Sequence, residues 1–283
     1  MSRRRTLAVL AALLLVAACS DRPATVFHES PPERLSEWGL ILAEGDRLVL
    51  NERVLPYDLN TPLFSDYAQK LRTVWMPTGR AARYRETGDW EFPTGTVLTK
   101  TFYYPAAGPR AVRAEASGRL FDGTALDLAG VRVIETRLLV KQAGGWEAYP
   151  YVWNEAQTDA VLRRVGDLVP LTLVAAGGTG QPFTYVVPDA NQCAGCHRPD
   201  HGSRRLRPLG PKTRNLNAVG ADRPAATGGG DQLAAWTQAG YLTGAPPAAA
   251  APRLPRWDDP GDAALEARAR AYLDVNCGHC HNP

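Results

Sequence analysis

The sequence is short of the side chains that most often bind metals and cofactors. In 283 residues it has five cysteines, five histidines and two methionines. So few cysteines, so unevenly placed, exclude a disulfide-dense secreted scaffold. Long apolar runs are missing too. Beyond the N-terminal leader, no stretch approaches the roughly 20 apolar residues that a membrane-spanning helix needs. Nor is there a charge of one sign to speak of. Lys+Arg 32 against Asp+Glu 29 gives a formal +3, and Arg3, Arg4 and Arg5 alone account for that excess. A chain this close to neutral lacks the electrostatic footprint of a nucleic-acid binder, and no nucleic-acid partner is expected.

The one apolar run that is present is informative. Met1-Ser2-Arg3-Arg4-Arg5 gives a basic start, and residues 6–18 are short, apolar and end in small side chains. This is the pattern of a secretory signal peptide, too short to span a bilayer. Val16-Ala17-Ala18-Cys19 resembles a bacterial lipobox, so residues 1–18 read as a lipoprotein signal peptide and Cys19 as the lipidated first residue of the mature chain. Ser20 and Asp21 favour sorting to the outer membrane over the inner. The polar, Pro-bearing residues 19–32 then read as a tether, and the compartment is the periplasm, with the membrane reached through lipid.

Four of the five cysteines sit in two copies of one pattern. Cys193-Ala194-Gly195-Cys196-His197 and Cys277-Gly278-His279-Cys280-His281 both read C-x-x-C-H, the attachment signature of haem c. Two thiols at this spacing can form thioethers along one edge of a porphyrin, and the next histidine, His197 or His281, can ligate the iron. A zinc ribbon would hold its two pairs within about 15–20 residues, far closer than these. A redox dithiol belongs in a βαβ context, which neither stretch provides. Export fits the haem reading, because free cysteine pairs outside the cytoplasm otherwise tend to oxidise.

Distal ligands are scarce. Met76 ends a strand-like run and reads as core filler or as a ligand. His201 lies too close to His197 to reach the opposite face of one ring easily, His279 is inside its own motif, His28 falls in the tether, and Lys212 lies in a loop. The aromatic row Trp146, Tyr149, Tyr151 and Trp153 reads as sheet core, or else as a surface for a sugar or quinone.

The rest of the chain divides by character. Residues 33–187 carry short alternating runs broken by Gly and Pro turns, among them residues 71–76, 96–104, 131–140 and 146–153, the last two flanking Gly144-Gly145. They predict an antiparallel β-sandwich or barrel-like domain. Residues 188–243 form a first haem segment, in which residues 231–239 have helical spacing and could cover a haem face. Residues 244–261 read as a Pro/Ala-rich linker. Residues 262–283 open with a helix over 262–275, capped by Asp262, whose Leu265, Ala269, Tyr272 and Leu273 share one side. That helix runs into the second motif as in a cytochrome c, and with Pro283 two residues after His281 the second haem domain is expected to be incomplete. The fold class expected is therefore mixed β and α, a β-rich domain followed by a mainly α, cytochrome c-like haem region.

Six blocks carry a family resemblance: Pro56 to Lys70, Phe92 to Tyr104, Tyr151 to Ala160, Asn191 to His197, Gly210 to Asn217 and Tyr272 to Pro283. On these the chain resembles a largely uncharacterised family of bacterial diheme c-type cytochrome lipoproteins. The resemblance implies haem c at Cys193, Cys196 and His197, and a second at Cys277, Cys280 and His281. It also implies electron transfer with redox protein partners, a periplasmic dehydrogenase or another cytochrome. A diheme peroxidase-like or small-ligand-binding haem enzyme is the alternative function, and a β-sandwich binding module with an accessory haem is a second.

Overall fold

The computed structural model describes residues 24–115, 120–175, 177–198, 205–217 and 230–281. The leader, Cys19 and His201 lie outside these residues.

Among the described residues there are fourteen strands and five α-helices. The strands are β1 (Ile41–Glu44), β2 (Arg47–Leu50), β3 (Leu55–Tyr57), β4 (Gln69–Trp75), β5 (Ala82–Arg83), β6 (Val97–Gly108) and β7 (Ala111–Arg113). They continue with β8 (Ala125–Asp127), β9 (Val131–Gln142), β10 (Gly145–Trp153), β11 (Ala160–Leu162), β12 (Asp167–Val174), β13 (Gly180–Val187) and β14 (Leu242–Thr243). The helices are α1 (Ala190–His197), α2 (Thr213–Leu216), α3 (Gln232–Gln238), α4 (Leu265–Asn276) and α5 (Gly278–His281). The fold is mixed but mostly β.

Strand β6 is the axis of a nine-stranded sheet. Its first half pairs antiparallel with β4 on one side and β9 on the other, and its last residues turn to pair with β7. Beyond β9 come β10 and β11; beyond β7 come β12 and β13. All of these pairs are antiparallel except β7 with β12. The register of β6 on β9 shifts between Phe102 and Tyr103, a bulge that increases the local twist and helps the sheet curl. The β9–β10 hairpin forms at Gly144-Gly145 as its alternation predicts.

Strands β4, β6, β9 and β10 alternate between two cores, because successive side chains leave opposite faces. On one face Val97 and Tyr103 of β6, Leu71 and Trp75 of β4, and Tyr149, Tyr151 and Trp153 of β10 pack under the three-stranded sheet β1–β2–β8 and the 3-10 helix Leu35–Trp38. The aromatic row of β10 is therefore core: Tyr149, Tyr151 and Trp153 are buried, while Trp146 points to the other face and packs on Phe92. Threonines in the sheet satisfy one another, Thr73 with Thr99 at 2.7 Å and Thr101 with Thr136 at 2.9 Å.

The opposite face is covered by the C-terminal third of the chain. Leu216 of α2, Leu233 and Trp236 of α3, Tyr241 and Leu242 bury against Tyr57, Met76, Trp90, Leu98 and Leu139. The buried apolar side chains of α2 and α3 pack against the sheet, so the described part of this region is not the mainly α, cytochrome c-like domain that the helical patterns predict. The physical reason is length: α2, α3 and α5 have 4, 7 and 4 residues, too few to bury a helical core without the sheet. Helix α4 departs from expectation as well. It begins at Leu265, and Asp262 accepts from the Arg256 N–H and pairs with Arg253 instead of capping it. Its inward residue is Ala271, whereas Leu265 and Leu273 are exposed.

Asparagine side chains stitch the cover to the sheet. Asn215 Oδ1 accepts from the Thr61 N–H at 3.0 Å and its Nδ2 donates to the Thr61 carbonyl at 3.1 Å. Asn60 Nδ2 donates to the Asn217 carbonyl at 2.9 Å, and Asn217 Nδ2 in turn reaches the carbonyls of Ala248 and Ala251. Gln232 holds both the N–H and the carbonyl of Asp58. The blocks around Pro56 to Lys70 and Gly210 to Asn217 thus work as one polar seam, in which side chains supply the pairing that a sheet ladder would otherwise provide.

Asn215→Ala would leave both backbone groups of Thr61 buried without their partner. We predict a loss of about 2 kcal/mol, read as a lower urea midpoint with an unchanged m-value; an unchanged midpoint would show that the seam contributes no stability.

Candidate functional site

Pro188 follows the end of β13, and Asp189 caps α1 by accepting from the N–H groups of Asn191 and Gln192, while Gln192 reaches back to the Asp189 N–H. This reciprocal capping box fixes where the helix begins. Cys193, Cys196 and His197 then fall at i, i+3 and i+4, which puts all three on one side of α1. That side faces the sheet.

Between α1, the sheet and the loop at 207–214 lies a cavity of about 880 Å³, whose lining includes Cys193, Cys196, His197 and His279. Its floor is the second face of the sheet and its apolar wall includes Leu59, Leu98, Leu139 and Leu254. Met76 is fully buried in the core and is not among the lining residues. His28 is held elsewhere, against Trp38 and the Glu37 carbonyl. Lys212 lines the cavity and pairs with Asp89 at 3.8 Å.

His197 is oriented by the chain itself. Its Nδ1 lies 2.7 Å from the Arg207 carbonyl oxygen, which can only accept, so Nδ1 carries the proton and Nε2 keeps its lone pair. Burial, followed by the positive charge of Lys100, lowers its pKa to about 4, so the ring is neutral at pH 7. Burial also pushes the thiols of Cys193 and Cys196 up. Two thiols and a neutral imidazole on one helical face make a donor set for a borderline or soft metal centre, or for a macrocycle joined through sulfur.

The second motif comes to the same place. Helix α5 sets His279 and Cys280 against α1, and donor atoms of Cys196, His279 and Cys280 lie within 4.8 Å of one another. Cys277, Cys280 and His281 are exposed, whereas Cys193 is buried. Sequence spacing had no means of showing this meeting, because Cys196 and Cys277 are far apart along the chain.

Pattern reading also missed the charge on the cavity floor. Arg72 of β4 pairs across to Lys100 of β6, and Lys100 to Arg137 of β9, so three cations stand side by side on one face. Like charges directly opposite in a sheet are destabilising. The ends of the row are compensated: Arg72 meets Asp58 at 3.2 Å, and Arg137 grips Glu135, which also accepts from the Tyr185 hydroxyl. Lys100 forms no ion pair among the described residues. Alternation along β4, β6 and β9 contained this row, and reading it needed only the strand pairing.

Burial, then Arg137 and Arg72, depress the Lys100 pKa from 10.5 to about 7. Between those values the unfolded chain holds a proton that the folded chain has released, so stability rises with pH; below about 7 the buried ammonium opposes folding in full. In protein produced without any cofactor, Lys100→Met is therefore more stable than the parent at pH 6.5, and its advantage shrinks toward pH 10. Urea titrations at pH 6.5, 8 and 9.5 would check this, and an advantage that is constant with pH would refute it.

No protein-family model, curated protein or solved structure matches this chain.

Proposed function

We propose that the chain is a periplasmic electron carrier, a diheme c-type cytochrome lipoprotein tethered through Cys19. Cys193 and Cys196 would hold one haem with His197 on its iron, and Cys277, Cys280 and His281 would hold a second. One observation carries the reading: both thiols and the lone pair of His197 share one face of a capped helix at a cavity of about 880 Å³. The donor set suits the group chemically, and the buried Arg207 Nε, which has no hydrogen-bond partner among the described residues, adds positive potential for its carboxylates.

Bound haem supplies a one-electron couple. The chain's part is to position and tune it. The Arg207 carbonyl holds the imidazole in the required tautomer and raises its basicity, and the capping box sets the sulfur positions. Leucines of the cavity wall exclude water, which favours the less charged reduced form. Electron transfer is preferred over peroxide cleavage because Glu135, a buried carboxylate beside the row, is already committed to Arg137 and Tyr185 and is not free to shuttle a proton. Closeness of the two motifs favours rapid exchange between two centres. No described helix is long and apolar enough to cross a membrane.

Expression in a periplasm that attaches haem c should yield a polypeptide whose mass exceeds that of the chain by two haems, with a c-type absorption spectrum. Cys193→Ser with Cys196→Ser should remove one haem, and Cys277→Ser with Cys280→Ser the other. A parent protein with no covalent haem by intact mass would end the proposal.

A further inference from the structure

The cation row on the cavity floor is not explained by the attachment chemistry. Two successive like-charge pairs, Arg72 with Lys100 and Lys100 with Arg137, occupy the centre of the sheet. A folded chain bears that cost most readily when an anion completes the site. Glu135 and Asp58 serve the two ends, whereas the Lys100 ammonium, 5.4 Å from the centre of the Phe102 ring, has no ion pair among the described residues. Lys70, on the same face of β4 as Arg72, donates to the Ala68 carbonyl, and it adds a fourth positive charge. From across the cavity Arg207 presents a buried Nε with no partner among the described residues. Cys193, Cys196 and His197 of α1 line the same cavity as Arg72, Lys100 and Arg137, so the row and the attachment site belong to one compartment.

The occupant must then combine a broad apolar body, for the leucine-lined wall, with more than one negative group. Row length adds a further constraint. Adjacent strands are about 4.8 Å apart, so Arg72 stands roughly 10 Å from Arg137. Helix α1 packs on β10, the strand beyond β9, so Arg137 is the end of the row nearer the thiols and Arg72 is the far end. A porphyrin joined by sulfur at one edge carries its carboxylates at the opposite edge.

We propose that Lys100 and Arg72 receive the carboxylates of the haem held by Cys193 and Cys196, which makes the strand row part of the cofactor site. This rests on the haem reading above and adds to it that the β-sheet, and not only the C-x-x-C-H segment, binds the group. A free organic dianion is the other source of the same chemistry, and the test separates the two.

The protein to use is the full, haem-loaded chain with Cys277→Ser and Cys280→Ser, so that only the first haem is read. Lys100→Met is compared with Lys100→Arg and the parent by intact mass and by potentiometric titration between pH 5.5 and 8. With covalent haem equal in all three, the parent and Lys100→Arg should show a midpoint potential nearly independent of pH. Lys100→Met should show a lower potential that falls as pH rises, because a carboxylate deprived of its cation takes up protons in this range. An unchanged potential overturns the proposal. A uniformly lowered potential without a pH slope also overturns it, since that marks only a nearby charge. A shift of the parent's potential on adding succinate would mean that the row is open to a free anion, and would overturn it as well. Absence of covalent haem from the parent is the separate result that removes the haem reading itself, and this assignment with it.

Discussion

Strands β4, β6, β9 and β10 of the central sheet have to serve two environments at once, and the two-residue period of the strand is the constraint that makes this possible. In β6, Val97 and Tyr103 leave one face for the core under β1–β2–β8, while Leu98, Lys100 and Phe102 leave the other. A slip of one residue in the pairing with β4 or β9 would exchange the two sets. It would put Lys100, Arg72 and Arg137 into the dry core and Val97 into the cavity. The core on the first face, with its threonine pairs and its Trp38–Tyr151 hydrogen bond of 2.8 Å, therefore holds the register that builds the cavity floor on the second.

That floor is held against its own electrostatics. The buried ammonium of Lys100 between two guanidinium groups opposes folding, and the apolar packing on the first face offsets it. Local conflict of this kind concentrates at functional sites, where a chain gives up stability for chemistry. The compensation is one-sided: Asp58 and Glu135 neutralise the ends, and the middle is left to face the cavity. Polar stitching by Asn60, Asn215, Asn217 and Gln232 keeps the cover in place over this charged floor, since apolar burial alone would not specify where a loop-rich segment sits.

Placement of the second motif beside the first changes how the chain can work. Two exposed motifs on separate domains would be two independent attachment sites. Here Cys196 and Cys280 belong to one cluster of donor atoms, so whatever binds at one motif is felt at the other, sterically and through charge. The contact of α4 with the body rests on a few groups, among them Arg214 with Asp274 at 2.8 Å and the Phe64 N–H to Asn276 Oδ1 at 2.7 Å.

Local patterns in the sequence determined what depends on neighbours along the chain: the alternating strands, the hairpin at Gly144-Gly145, the start of α3 at Asp231, and the donor spacing in both C-x-x-C-H stretches. The capping box Asp189 to Gln192 was equally local and could have been read. Tertiary structure alone decided that the C-terminal segments fold onto the sheet instead of forming a helical domain, that Met76 is core, that the asparagine-rich blocks are a seam, and that two distant motifs meet. It alone aligned Arg72, Lys100 and Arg137, because each is an unremarkable cation in its own strand. Their mutual repulsion exists only once pairing across β4, β6 and β9 sets them side by side, and that pairing is a property of the whole sheet.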